Sequence, residues 1–158
     1  MLSVALTLLA AVPDGGAQAP VRLTFSGDVT LGFHVEEWAD ELVKKGTPKD
    51  QALVWGFDRV KALTRASDLY VANLECPFTD KGTKLQKNFN FRARPELVAG
   101  LEAGGVDVVS LANNHLMDYG AEGLFDTLTV LDTAKIARFG AGRSLADART
   151  PAVVDVKG

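Results

Sequence analysis

Apolar and polar positions alternate over residues 21–26 and run into Gly27-Asp28, the pattern of a short strand closed by a turn. Residues 34–45 mix polar and apolar positions in a way that suits a helix, closed by Gly46 and Pro48. A second helical pattern covers residues 56–66, with Phe57, Val60 and Leu63 spaced to pack against a sheet. Residues 68–75 form a short, nearly continuous apolar run before Cys76-Pro77, as a buried parallel strand does. A polar loop over 79–90 leads to a helix over 95–104 that starts on Pro95 and stops at Gly104-Gly105. The run 106–112 reads as a third strand. Leu124, Leu128 and Leu131 mark an amphipathic helix over 121–134, followed by a fourth strand over 135–139. A turn at 140–142, a helical piece over 144–149 and a fifth strand over 151–156 complete the order. Strands alternating with helices imply right-handed parallel crossovers, so the predicted fold class is α/β, a sheet covered by helices.

That topology gives the polar residues their meaning. Three strands end in polar clusters: Gly27-Asp28, Asn73-Leu74-Glu75 and Asn113-Asn114-His115. Parallel pairing puts all three on one sheet edge, where open α/β sheets bind ligands. Carboxylate oxygens, an amide carbonyl and an imidazole suit a divalent cation, with zinc, manganese, magnesium and iron all open. Such an ion can polarise a phosphoryl or carbonyl oxygen while an imidazole donates a proton. Each cluster also has a plain alternative: Asp28 suits a turn or cap, Asn73 and Glu75 can satisfy backbone groups where the strand ends, and Asn113-Asn114-His115 suits a turn plus a cap for the next helix. Asp118 reads first as a cap of the helix after it and second as a partner that orients His115. His34 reads as a surface or capping histidine, and Arg92 and Arg94 read first as residues of a solvated loop and second as partners of an anionic substrate.

The 158 residues suit one domain, and 47% hydrophobic content suits a packed core. A net charge of −3 and a pI near 5.4 provide no cationic field for nucleic acid. Cys76 stands alone, so no internal disulfide forms, and it reads as a packed, inert thiol. Residues 1–19 differ from the rest, with an apolar run from Leu2 to Val12 and then Ala17-Gln18-Ala19. This reads as a signal peptide cleaved after Ala19, although no Lys or Arg precedes the apolar run; a buried strand or helix is the alternative. The run is shorter than the roughly 20 residues a membrane-crossing helix needs.

Taken together, Gly27-Asp28-Val29-Thr30-Leu31-Gly32, Ala72-Asn73-Leu74-Glu75-Cys76-Pro77 and Ser110 to Gly120 resemble the CapA-type capsule, or poly-γ-glutamate, biosynthesis family. Gly140-Ala141-Gly142-Arg143 and Ala146 extend the resemblance, which covers residues 22–158. It implies a layered, calcineurin-like metallophosphoesterase-type α/β fold, of which residues 20–158 supply the N-terminal portion. It also implies Asp28, Glu75 and Asn114 as metal ligands, His115 as the catalytic residue over the leaving group, and Asn73 and Asn113 as supporting residues. Thr30 stands where dinuclear phosphoesterases carry the histidine of Asp-x-His. The implied protein is exported to the periplasm or cell envelope, tethered to the membrane if the leader is retained. Its implied partners are an anionic polymer or its precursor and a membrane synthase complex, and its implied reaction is phosphoester or amide hydrolysis. The alternatives are a non-catalytic scaffold or polymer-binding subunit, or an inactive truncated remnant. A sheet cut short exposes an unpaired edge, so the isolated chain is expected to associate.

Overall fold

The computed structural model describes residues 20–157, so the leader read over residues 1–19 lies outside the described residues. Four strands, β1 (Leu23–Val29), β2 (Leu69–Leu74), β3 (Val108–Ser110) and β4 (Ala137–Phe139), pair in parallel in the order β1-β2-β3-β4. The helices are α1 (His34–Lys44), α2 (Lys49–Val54), α3 (Lys61–Thr64), α4 (Val98–Gly104), α5 (Gly120–Thr133) and α6 (Leu145–Ala148). The α/β expectation therefore holds. No helix among the described residues is long and apolar enough to cross a membrane.

Strands laid down in sequence by right-handed crossovers place every connection on the same face of the sheet. Burial follows that rule. Tyr70, Ala72, Leu74 and Val109 are buried in one core with Leu97 and Leu101, and with Leu124, Leu128 and Leu131 of α5. The opposite face carries Leu23, Phe25, Leu69, Val71 and Val108, in the register Leu23 to Leu69 and Phe25 to Val71 to Val108. Among the described residues this second face is thinly covered: Phe25 is 53% exposed, although Val108 is buried at its centre.

Four expectations need correction. The turn read at Gly27-Asp28 is strand: β1 continues to Val29 through a bulge, because Phe25 pairs with Val71 while Asp28 pairs with Asn73. Three residues of β1 thus oppose two of β2, and the extra one restores Asp28 to the face of Phe25. The single helix over 56–66 is instead α2, a 3-10 turn at Trp55–Phe57, and the short α3. Pro48 sets up α2, and of the three expected contacts only Phe57 is buried, with Leu63 75% exposed. Residues 151–156 pair with no strand among the described residues, and Val153 is 85% exposed. A run of β-branched residues such as Val153-Val154 forms no strand without a partner to pair with. The helix over 95–104 divides into a 3-10 turn at Pro95–Leu97 and then α4, which ends on Gly105 in the left-handed region at φ 71°.

Cys76 is fully buried, and that burial pushes its thiol up to about 11. A thiol reagent at pH 8 is expected to leave the native protein untouched and to react stoichiometrically once denaturant unfolds it. Rapid labelling of the native state would contradict this packing.

Candidate metal-dependent site at the sheet edge

The C-terminal ends of β1, β2 and β3 carry the site, and the bulge is what brings the first of them in. Asn73 Nδ2 donates to Asp28 Oδ1 at 2.8 Å and to Glu75 Oε2 at 2.5 Å, so one amide group holds both carboxylates. Asn113 Nδ2 donates to Asn73 Oδ1 at 3.2 Å and to the Leu74 carbonyl at 2.8 Å, which fixes which way the Asn73 amide points. The backbone N–H of Glu75 donates to the Val29 carbonyl at 3.0 Å, tying the β2 end to the β1 end. Asp28 is exposed and Glu75 is buried.

Asn113 also organises the turn after β3. Its Oδ1 accepts from the backbone N–H groups of His115 and Leu116, each at 3.0 Å, which seats the buried His115 ring. His115 Nε2 lies 3.8 Å from Glu75 Oε1, and its Nδ1 lies 2.8 Å from Asp118 Oδ2. A buried carboxylate only accepts, so Nδ1 carries the hydrogen and Nε2 faces Glu75. Asp118 does not cap α5, whose N-cap is Tyr119 with no side-chain hydrogen bond, so the first reading of Asp118 gives way to the second. Asn114 is exposed; it lines a cleft of about 350 Å³ with Lys87, Asn88, Phe89, Phe91 and His115.

The loop over 79–90 and the residues just beyond it contribute what sequence reasoning missed. Phe91 stacks on the His115 ring at 3.8 Å and 14°, and its backbone N–H donates to Asp118 Oδ2 at 2.6 Å. Lys87 Nζ forms an ion pair with Asp118 Oδ1 and donates to the Asn114 carbonyl at 2.8 Å. Burial pushes the Asp118 carboxyl up, yet the Lys87 ammonium beside it and the hydrogen bonds from His115 and the Phe91 N–H outweigh it and leave it below the usual range. No local motif marks Lys87 or Phe91, since each meets its partner about 27 residues away. His34 is exposed and meets Glu37, as its surface reading implies. Arg94 is not a free loop residue, because it pairs with Glu36 and Asp40 of α1. Arg92 lies over the Tyr119 ring at 4.7 Å.

Whether these residues suit a divalent ion turns on their donors. Two carboxylates converge on the Asn73 amide, where a cation would be attracted, but among the described residues no group of three His, Cys, Asp or Glu is arranged to hold one. Two carboxylates and an amide are fewer donors than the six or more oxygens a hard divalent cation takes.

The family profile described as "Bacterial capsule synthesis protein PGA_cap" matches residues 22–158, a stretch that contains all three strand ends. The chain belongs to this family. PGA_cap is part of the metallophosphoesterase-like superfamily, in keeping with the strand-edge placement of these groups. Among PGA_cap relatives, the capsule biosynthesis protein CapA of Bacillus anthracis is 32% identical over 98% of this chain and 39% of its own length. The PGA biosynthesis protein CapA of Bacillus subtilis is 34% identical over 80% of the chain and 31% of its own. A probable polyglutamine synthesis accessory protein of Mycobacterium tuberculosis is 37% identical over 69% of the chain and 29% of its own. The PGA_cap chain thus spans well under half the length of these relatives.

Proposed function

We propose that this segment supplies the sheet-edge half of a divalent-metal-dependent, hydrolase-like centre in an exported protein that serves capsule or poly-γ-glutamate synthesis. The observation that carries the reading is the convergence of Asp28 and Glu75 on one amide, with His115 Nε2 beside Glu75. Asp28 and Glu75, with Asn114 nearby, are the groups to hold the ion, which supplies Lewis acidity toward a phosphoryl or carbonyl oxygen. His115 presents Nε2 to exchange a proton with a leaving group, while Asp118 keeps the other nitrogen occupied. Asn73 and Asn113 hold the two carboxylates and the His115 turn in register. Ligands from outside the described residues complete the coordination. The names of the relatives, two of them CapA, support the polymer assignment.

The test is the metal content of the full-length protein beside its Asp28→Ala, His115→Ala double variant. Stoichiometric metal in the first and its loss in the second are expected. Turnover of p-nitrophenyl phosphate or a γ-glutamyl anilide is expected to fall at least about a hundredfold in the variant. A second reading is a non-catalytic, polymer-binding subunit of an envelope complex, favoured by Thr30 at the position of the phosphoesterase histidine and by the two-carboxylate donor set. Full-length protein without metal and without turnover would establish that reading instead.

A further inference from the structure

We propose that the cleft beside His115 is the subsite for the substrate group that flanks the reacting bond, and that it takes a planar, uncharged amide, with Phe89 and Asn88 as the residues that select it. The inference rests on the hydrolase reading, which leaves phosphoryl and carbonyl centres both open, and it chooses between them. A volume of about 350 Å³ is at the small end of ligand pockets and suits a short stretch of a chain. Asn114 and His115 line one part of the cleft, and Lys87, Asn88, Phe89 and Phe91 the rest. Its one ammonium is already committed inside the protein, because Lys87 pairs with the fully buried Asp118 carboxylate and donates to the Asn114 carbonyl at 2.8 Å. An anionic group here would leave water for two phenyl rings with no free ammonium to meet it. An amide meets a matching surface. Phe91 is already stacked on the His115 ring, whereas Phe89 is 72% exposed and has no aromatic partner among the described residues, so its ring is free to stack on a planar group. The exposed Asn88 carboxamide offers both a donor and an acceptor, the pair that an amide C=O and N–H require, and no hydrogen bond among the described residues engages it. Asn114, the other carboxamide of the cleft, is assigned to the ion. A phosphoryl group would then find its partner only at the ion, while the cleft reads the amide chain beside it.

The experiment measures binding to the full-length protein and needs no turnover. Its probes are a capped trimer of 4-aminobutyric acid, which repeats a γ-linked amide chain without charge, and inorganic phosphate. Saturation-transfer NMR titrations are expected to show the trimer bound by wild type, about tenfold more weakly by Phe89→Ala and about fivefold more weakly by Asn88→Ala, with Phe89→Tyr close to wild type. Phosphate is expected to bind both alanine variants as it binds wild type. Should Phe89→Ala fail to fold, Phe89→Gln takes its place. Trimer affinity that is unchanged in a folded Phe89→Ala or Asn88→Ala protein overturns the proposal. So does a wild type that does not take up the trimer, or phosphate binding that weakens with the same substitutions. Wild-type protein without metal or turnover that still binds the trimer through Phe89 would fail the hydrolase reading alone, and the cleft would then serve the polymer-binding one.

Discussion

Asp118→Ala is expected to destabilise the protein by about 3 kcal/mol at neutral pH, the largest single-residue loss at the sheet edge. Three partners lose their acceptor together: the Lys87 ammonium, the His115 ring and the Phe91 N–H. Breaking a fully buried pair costs roughly 3–5 kcal/mol, but Lys87 is 31% exposed and regains some water, which places the expectation at the low end. Acid distinguishes this loss from a mere cavity. The Asp118 carboxyl sits below its usual range, so its stabilisation is complete above about pH 4 and disappears as pH falls through the folded value. The gap between wild type and variant should therefore shrink on acidification. Urea midpoints at pH 7 and pH 3 measure it, and a gap that is constant across that range would mean the charge contributes nothing.

Gly32→Ala is expected to cost about 2–3 kcal/mol by overpacking, even though the backbone conformation of Gly32 is open to any residue. The added Cβ would lie 1.9 Å from the Arg92 carbonyl oxygen and 2.8 Å from its carbon. That segment cannot withdraw easily, since the backbone of Ala93 donates to Pro77 and accepts from Thr79. The loop after β1 must move instead. Phe33 lies in that loop at φ 51°, a strained value for an aromatic residue, and contacts Phe91 edge to face at 5.3 Å. Displacing Phe33 therefore disturbs the ring stacked on His115. The variant should show both a lower denaturation midpoint and a shifted His115 ring resonance; an unchanged midpoint would mean the contact relaxes without cost.

The sheet was legible because its signals are local. Short apolar runs such as Val108-Val109 need both faces in contact with something, and the polar residues that close them mark the strand ends without any tertiary knowledge. The α5 stripe of Leu124, Leu128 and Leu131 was legible for the same reason. What stayed hidden depends on partners far along the chain. Lys87 and Phe91 look like ordinary loop residues until the fold sets them against Asp118. Val153 and Val154 look like a strand until no neighbour is found for them among the described residues. Gly27 reads as punctuation, since nothing local separates a turn from an extra residue inside a paired strand.

That extra residue makes β1 tolerant of a change in length at one point. A substitution at Ser26 or Gly27 changes one contact, and removing either residue leaves Asp28 two positions after Phe25, which a regular strand places on the same face and opposite Asn73. A three-nucleotide deletion in these two codons thus straightens the strand without turning the sheet-edge carboxylate away.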